Sequence, residues 1–188
     1  MGMFSGLFGR QDTAKRDARR VYNLVMKQSR QPVFFGQARF PDNYDGRIDV
    51  LTLHMGIVFE ALRRHGEQGN RLAQALFDEM KDDFEIALRE EGISDTGVAK
   101  RIKPMIQLFY TRVKAFTESF ESGQFETVAG ALYQSNNNED DNRSGFSSEF
   151  TADLTRYVQD SRASLEEETL GSLAQAKLNF ASTAALHA

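Results

Sequence analysis

The chain has 188 residues, which favours a single domain, and a formal net charge of −4, which argues against a general nucleic-acid binder and against a DNA partner. It contains no cysteine, so disulfides and thiol catalysis are excluded. No run of about 18 apolar residues is present, and the phosphate-loop, dinucleotide and serine-nucleophile patterns do not occur. Strand-type alternation is absent throughout, which predicts an all-α fold.

The first thirty residues combine an apolar tip with a basic helix. Residues 1–12 are predicted to be a flexible tip, and Thr13–Gln28 the first helix; seven basic residues against two acids give residues 1–30 a net charge of +5. This order is typical of attachment to an anionic membrane surface, although a frayed end before a solvated helix face fits the same pattern. The residues expected at the membrane surface are Phe4, Leu7, Phe8, Arg10, Lys15, Arg16, Arg19 and Arg20.

The stretch of residues 45–65 is predicted to be the central helix. One face holds Ile48, Leu51, Met55, Val58, Phe59 and Leu62, and a second holds Val50, Leu53, Ile57 and Ala61. A helix that is apolar on two sides is buried on two sides, so its neighbours must surround it. Asp45 is the predicted N-cap and Gly66 the predicted stop. Before this helix, Val33–Asn43 is expected to be irregular, with its phenylalanines packed on the helical body.

Later helices follow from the same periodicity. They are predicted at Arg71–Glu91, Val98–Glu121, Gln124–Tyr133, Phe146–Asp160 and Leu165–Phe180. Gly92 and Gly123 are expected to end the first two, and Pro104 to kink or split the second. A break at Arg162 or Ser164 is expected to separate the last two. A short loop, His65–Asn70, precedes them. Ser135–Ser144 has no apolar residue and is predicted to be a mobile loop. The result is a compact bundle of about six to seven helices, with residues 13–188 as one domain.

Candidate ligand and ion sites are sparse. His54 lies inside the central helix, and a lone helical histidine is more typical of a hydrogen-bonded core or edge residue than of a ligand. Asp78, Asp82 and Glu85 lie on one helix face at spacings of four and three. Such a cluster could bind a divalent cation, and a metal-dependent hydrolase could use it with or without His54. The favoured interpretation is a solvated face paired with Lys81, Arg89 or Arg47.

A short basic segment, residues 100–103, lies just before Pro104. Lys100, Arg101 and Lys103 come within three turns of Tyr110 and Arg112. Together these side chains could bind an anionic partner segment or RNA, although a solvated helix start is the favoured interpretation.

Four sequence blocks resemble the signature segments of the ubiquinol–cytochrome c chaperone family, in that family's order and spacing. They are Tyr44–His54, Gln74–Met80, Leu88–Lys103 and Phe109–Arg112. The resemblance covers roughly residues 30–135 well and the remainder loosely. Pro104 stands where relatives usually carry Lys or another helix former, Ala176 stands where a Gly precedes the closing apolar–Phe pair, and the loop at 135–144 looks like an insertion.

This resemblance implies an all-helical assembly factor for the cytochrome bc1 complex that binds newly made cytochrome b. Mitochondrial members associate with the ribosome and a second small factor, and the family has no established catalytic residues, so neither enzymatic activity nor a cofactor is expected. Because no transit peptide is apparent, a bacterial member is expected, cytoplasmic and peripheral at the inner face of the cytoplasmic membrane. The alternatives are a helical RNA- or ribosome-binding module and an all-α metal-dependent hydrolase. The residues expected to contact partners are Tyr44, Arg47, Asp49, His54, Asp78, Lys100, Arg101, Tyr110 and Arg112.

Overall fold

The computed structural model describes the backbone of residues 5–134 and 145–187 and the side chains from residue 13 onward within those ranges, apart from residues 133, 134, 185 and 187. The helices are α1 (Ser5–Ser29), α2 (Tyr44–Arg63), α3 (Gly66–Glu90), α4 (Asp95–Ser122), α5 (Glu126–Gln134), α6 (Ser148–Glu166) and α7 (Leu170–Ala174), with 3-10 turns at Pro32–Phe34 and Thr183–His187. The described part of the chain contains no β-strand. The predicted all-α bundle of six to seven helices is therefore confirmed.

Helix α2 is the centre of the bundle, as predicted. Fourteen of its twenty residues are buried, and it packs against α1, α3, α4 and α6. The segment before it is irregular, as expected, and its Phe34 and Phe40 side chains are buried in the core. The two apolar faces of α2 thus bury it between neighbours on opposite sides.

The ends of α2 differ from the prediction. Asn43, not Asp45, is the N-cap, because its Oδ1 accepts a hydrogen bond of 2.9 Å from the Gly46 N–H. Asp45 falls in the first turn, where a carboxylate still favours the helix dipole. Gly66 does not end α2, which stops at Arg63; it begins α3 with a φ of +60°, so the chain reverses over two residues and the predicted loop to residue 70 does not form.

Helix α4 runs through Pro104 without a split. Ser94 caps its start, accepting a 3.4 Å hydrogen bond from the Gly97 N–H, and Gly123 at φ +73° ends it as predicted. Buried side chains lie on both sides of the proline, at Ile102 and Phe109. We infer that their packing offsets the hydrogen bond that Pro104 cannot donate.

The C-terminal third departs most from the predicted helices. Helix α6 continues to Glu166 without a break, because Ser161 and Leu165 extend its buried face. The predicted helix Leu165–Phe180 is wrong: α7 ends at Ala174, and Ala176 adopts a φ of +57°. That left-handed conformation costs an L-residue about 1–2 kcal/mol and prevents the helix from continuing.

The N-terminal helix begins eight residues earlier than predicted, at Ser5, and packs mainly on α3. Residues 1–4 of the predicted flexible tip and the loop at 135–144 lie outside the described residues. The division into a tip and one domain at 13–188 therefore stays a prediction.

Candidate partner-binding site between α2, α3 and α4

The first and fourth family-like blocks meet at a small cavity between α2, α3 and α4. Its volume is about 70 Å³, and its walls come from Tyr44, Asp45, Ile48, Asp49, Thr52, Phe84, Met105, Leu108, Phe109 and Arg112. Ligand pockets usually measure about 300 Å³ or more, so this cavity is too small for a drug-sized ligand. It has room for water or the tip of one side chain.

A buried ion pair closes the inner wall of this cavity. Arg112 Nη1 lies 2.6 Å from Asp49 Oδ1, and the two side chains are only 1% and 3% exposed. Burial lowers the pKa of Arg112, whereas the Asp49 carboxylate acts in the opposite direction. Both residues were predicted to contact a partner, but in this conformation they lie inside the protein. Their geometry instead fixes α2 against α4.

Four aromatic rings, each in contact with the next, run from the core to the surface beside the cavity. The ring centroids are 5.9 Å apart for Phe59 and Phe109, 5.8 Å for Phe109 and Phe77, and 5.1 Å for Phe77 and Tyr110. Tyr110, the last ring, is 53% exposed. A large ring held by other rings loses little entropy on binding, which is why such tyrosines are common at interfaces. The second block therefore contributes to the site through Phe77.

Three large apolar side chains are exposed among the described residues: Tyr44, Ile86 and Tyr110. They belong to α2, α3 and α4. Tyr44 is 45% exposed, and partial burial together with the Glu91 and Asp45 carboxylates raises its pKa. Ile86, which is 52% exposed, was missed by the sequence analysis. The sequence feature that could have revealed it is an isoleucine on the polar face of α3, outside the row of residues that this helix buries.

His54 does not reach this surface. It is fully buried, with Nδ1 2.8 Å from the Val50 carbonyl oxygen and Nε2 2.8 Å from Tyr157 Oη. Phe34 and Phe180 each present an edge-to-face contact at 5.1 Å from its ring. Burial lowers the pKa of His54 to about 4. His54 is therefore a hydrogen-bonded core residue, which was the favoured interpretation, and its side chain cannot contact a partner in this conformation.

Comparison with known proteins shows which family this chain belongs to. Residues 37–180 match the family described as ubiquinol–cytochrome C chaperone. The chain belongs to this family. The crystal structure of the Cbp3 homolog from Brucella abortus is also similar, with a TM-score of 0.75 and 30% identity over 96% of this chain and 97% of that one. No curated protein matches the chain significantly.

The matched range, residues 37–180, includes every residue that lines the small cavity. The basic segment lies on the outer side of α4. Its residues Lys100, Arg101 and Lys103 are exposed, and none forms an ion pair with another described residue. Of the remaining predicted contact residues, Arg47 is exposed and forms a 2.9 Å ion pair with Asp42. Asp78 is exposed and accepts a 2.8 Å hydrogen bond from Gln74.

The acidic cluster lies on the surface of α3, and Glu85 is the member that forms ion pairs. Glu85 lies 2.7 Å from Lys81 Nζ and 3.1 Å from Arg89 Nη2. Within residues 5–134 and 145–187, no group of three or more histidine or acidic residues could hold a metal ion. Arg47, the third suggested cation, does not join the cluster, because it pairs with Asp42.

The basic residues predicted for the membrane surface lie along α1 of the chaperone. Lys15, Arg16, Arg19 and Arg20 are exposed, and Arg19 forms a 3.6 Å ion pair with Glu79 on α3. Phe4 lies outside the described residues, as do the side chains of Leu7, Phe8 and Arg10. Among the described helices, none is both long and apolar enough to cross a bilayer.

Proposed function

We propose that the protein supports assembly of the cytochrome bc1 complex by holding newly made cytochrome b. The observation that carries this proposal is the family match over residues 37–180, together with the likeness of nearly the whole chain to the Cbp3 homolog. A chaperone for a membrane subunit must bind apolar segments that have not yet found their partners. Exposed large apolar side chains on a rigid frame are the surface that such segments need.

The proposed contact surface is the outer side of α2, α3 and α4. Tyr110 is its central anchor, because its ring packs against Phe77, and Tyr44 contributes further apolar area. Lys100 and Arg101 supply charge at the start of α4. The Asp49–Arg112 pair acts indirectly by fixing the helices that carry these anchors. Such binding makes and breaks no covalent bond, so the proposal contains no catalytic residue and no cofactor.

The proposed place of action is the inner face of the cytoplasmic membrane of a bacterium. A newly made membrane subunit is available there, and the basic side of α1 offers contact with anionic lipid. A ribosome or a second assembly factor is a further proposed partner.

Site-specific photocrosslinking in cells that make the bc1 complex tests this function. A photoreactive side chain at Tyr110 is expected to capture cytochrome b. The matched control carries the same side chain at Arg156 on α6, which is also exposed, at 62%. The proposal requires a cytochrome b adduct from position 110 and not from position 156. It is wrong if position 110 yields no such adduct, or if both positions yield it equally.

Binding to RNA or the ribosome is the second candidate, and one observation favours it. Lys100, Arg101 and Lys103 are exposed and lack ion pairs with other described residues. If they bind phosphates, affinity for ribosomes must fall with salt, and replacing all three with Gln must reduce the slope of log K against log salt by about 2–3. Replacing Lys27, Arg30 and Arg156 with Gln is the charge-matched control. Equal slopes in both triple variants would remove this candidate.

A further inference from the structure

A second cavity lies where α1, α3 and α7 meet, separate from the surface proposed for the client. Its volume is about 380 Å³, within the range of about 300–1,000 Å³ that small-molecule sites occupy. The apolar part of its lining is supplied by Ala14, Leu72, Leu170 and Ala174. The proposed chaperone function uses none of these residues.

Three arginines lie at the edge of this cavity. Arg71 is one of the lining residues, and its exposed side chain has a 3.5 Å contact to Glu67. Arg16 Nη2 lies 3.5 Å from Thr13 Oγ1, which also lines the cavity. Arg20 Nη1 donates a 3.1 Å hydrogen bond to the carbonyl oxygen of Ala174 and lies 3.4 Å from the Asp17 carboxylate. Among the described residues that line the cavity, Asp17 is the one acid.

The charge of α1 extends beyond the cavity. From residue 13 to residue 30 there are six basic residues and one acid, and all six basic residues are exposed. A single small anion would neutralise only a fraction of this stripe. An anionic membrane surface complements all of it, at about 1 kcal/mol for each Lys or Arg near the lipid.

We propose that this cavity binds one anionic phospholipid of the membrane surface. The headgroup phosphate would lie among Arg16, Arg20 and Arg71, because guanidinium groups bind phosphate oxygens in a bidentate manner. The start of one acyl chain would lie against the apolar lining. This inference rests on the proposed function only for its placement of the protein at a membrane. It adds a specific lipid site to the general attraction of a basic helix.

Vesicle flotation of the full chain tests the site. The probes are vesicles of phosphatidylcholine alone and of phosphatidylcholine with about one third phosphatidylglycerol. Wild type is expected to bind the anionic vesicles at least about tenfold more tightly than the neutral ones. Arg71→Gln is expected to weaken that binding about fivefold. Ala14→Leu fills the cavity without changing charge and is expected to weaken it by several-fold.

Two matched controls separate the site from general attraction. Ala152→Leu and Arg156→Gln make the same changes at exposed positions on α6 and are expected to bind like wild type. Ala174→Leu, a second filling variant, replaces Ala14→Leu if thermal unfolding shows that the latter does not fold. Wild-type affinity in the filling variant overturns the lipid site, as does equal binding to both kinds of vesicle. These vesicles contain no client, so a negative result leaves the Tyr110 crosslinking test of the proposed function unaffected.

Discussion

At the scale of single residues, His54 connects three helices through a chain of hydrogen bonds. A backbone carbonyl only accepts, so Nδ1 carries the proton that is donated to Val50. Nε2 then accepts from the Tyr157 hydroxyl, whose oxygen accepts a 2.9 Å hydrogen bond from Gln28 Nε2 on α1. This tautomer is assigned from the network. A second ring proton would make Nε2 a donor, so the Tyr157 hydroxyl would have to accept there and turn its own proton elsewhere.

The buried histidine makes stability depend on pH. Its pKa is about 4 in the folded protein and about 6.5 in the unfolded chain, so the unfolded chain binds the proton first as the pH falls. The contribution of His54 is therefore undiminished above pH 6.5 and falls by about 3 kcal/mol on the way to pH 4. Urea unfolding at pH 7 and pH 5 measures it. We expect a smaller loss between these pH values in His54→Gln than in wild type.

His65→Gln is the control for this prediction, because His65 lies in the connection between α2 and α3, outside the His54 network. It is expected to keep the wild-type loss of stability between pH 7 and pH 5. If His54→Gln keeps it too, His54 does not account for the pH dependence.

The Asp49–Arg112 pair gives a second prediction at this scale. Asp49→Ala leaves the Arg112 guanidinium buried without its carboxylate and is expected to cost about 3–5 kcal/mol. The double variant Asp49→Leu, Arg112→Met removes both charges and is expected to be more stable than Asp49→Ala. Chemical denaturation measures both free energies of unfolding. A double variant as unstable as Asp49→Ala, or less stable, contradicts this interpretation.

Single-residue roles show where sequence reasoning reached its limit. The periodicity placed His54 inside a helix, and its role as a hydrogen-bonded core residue was the favoured interpretation. The pairing of Asp49 with Arg112 could not be found in this way, because the two residues are 63 positions apart and meet only after α2 packs on α4. Blocks that resemble a family can contain residues that hold the fold as well as residues that touch partners, and both members of this pair are buried in this structure.

At the scale of helices, apolar periodicity placed α2, α3 and α6 and their buried faces. It failed where a helix end depends on one backbone conformation, as at Asn43, Gly66 and Ala176. A φ angle of +57° at an alanine is invisible to residue propensity, which predicts a continuing helix there. Hydrophobic pattern reports which face is buried, not where the chain turns.

Two helical glycines provide a matched test of helix packing. A Cβ at Gly56 would lie 2.6 Å from Phe116 Cδ2, at the contact of α2 with α4, whereas a Cβ at Gly130 on α5 would meet nothing within 4 Å. Gly56→Ala is expected to destabilise the protein by about 1–3 kcal/mol through overpacking. Gly130→Ala is expected to stabilise it by up to about 1 kcal/mol through helix propensity. Thermal unfolding measures both, and a stabilised Gly56→Ala variant would contradict the close packing of α2 on α4.

At the scale of the whole molecule, the C-terminal segment completes the core. Phe180 covers the His54 ring, and the Ala181 N–H donates a 3.0 Å hydrogen bond to Ser161 Oγ on α6. The Thr183 hydroxyl donates a 3.1 Å hydrogen bond to Gln31 Oε1 at the end of α1, and the Leu186 side chain is buried. The segment thus joins the first helix, the central helix and α6.

These contacts predict that residues 13–188 unfold as one unit. Calorimetry is expected to give one transition with equal calorimetric and van't Hoff enthalpies, because α1, α3, α4 and α6 all pack on α2. Circular dichroism and tyrosine fluorescence are expected to change together. Separate transitions for α1–α4 and for the segment after residue 145 would contradict the single domain.

The C-terminal contacts also have a consequence for how the protein is made. Translation proceeds from the N-terminus, so Phe180, Ala181 and Thr183 leave the ribosome after helices α1–α7. Until they emerge, His54 lacks the Phe180 ring over its face, and Gln31 and Ser161 lack their distant hydrogen-bond partners. The central helix of a nascent chain is therefore open on the side that this segment covers until residues 180–183 have emerged.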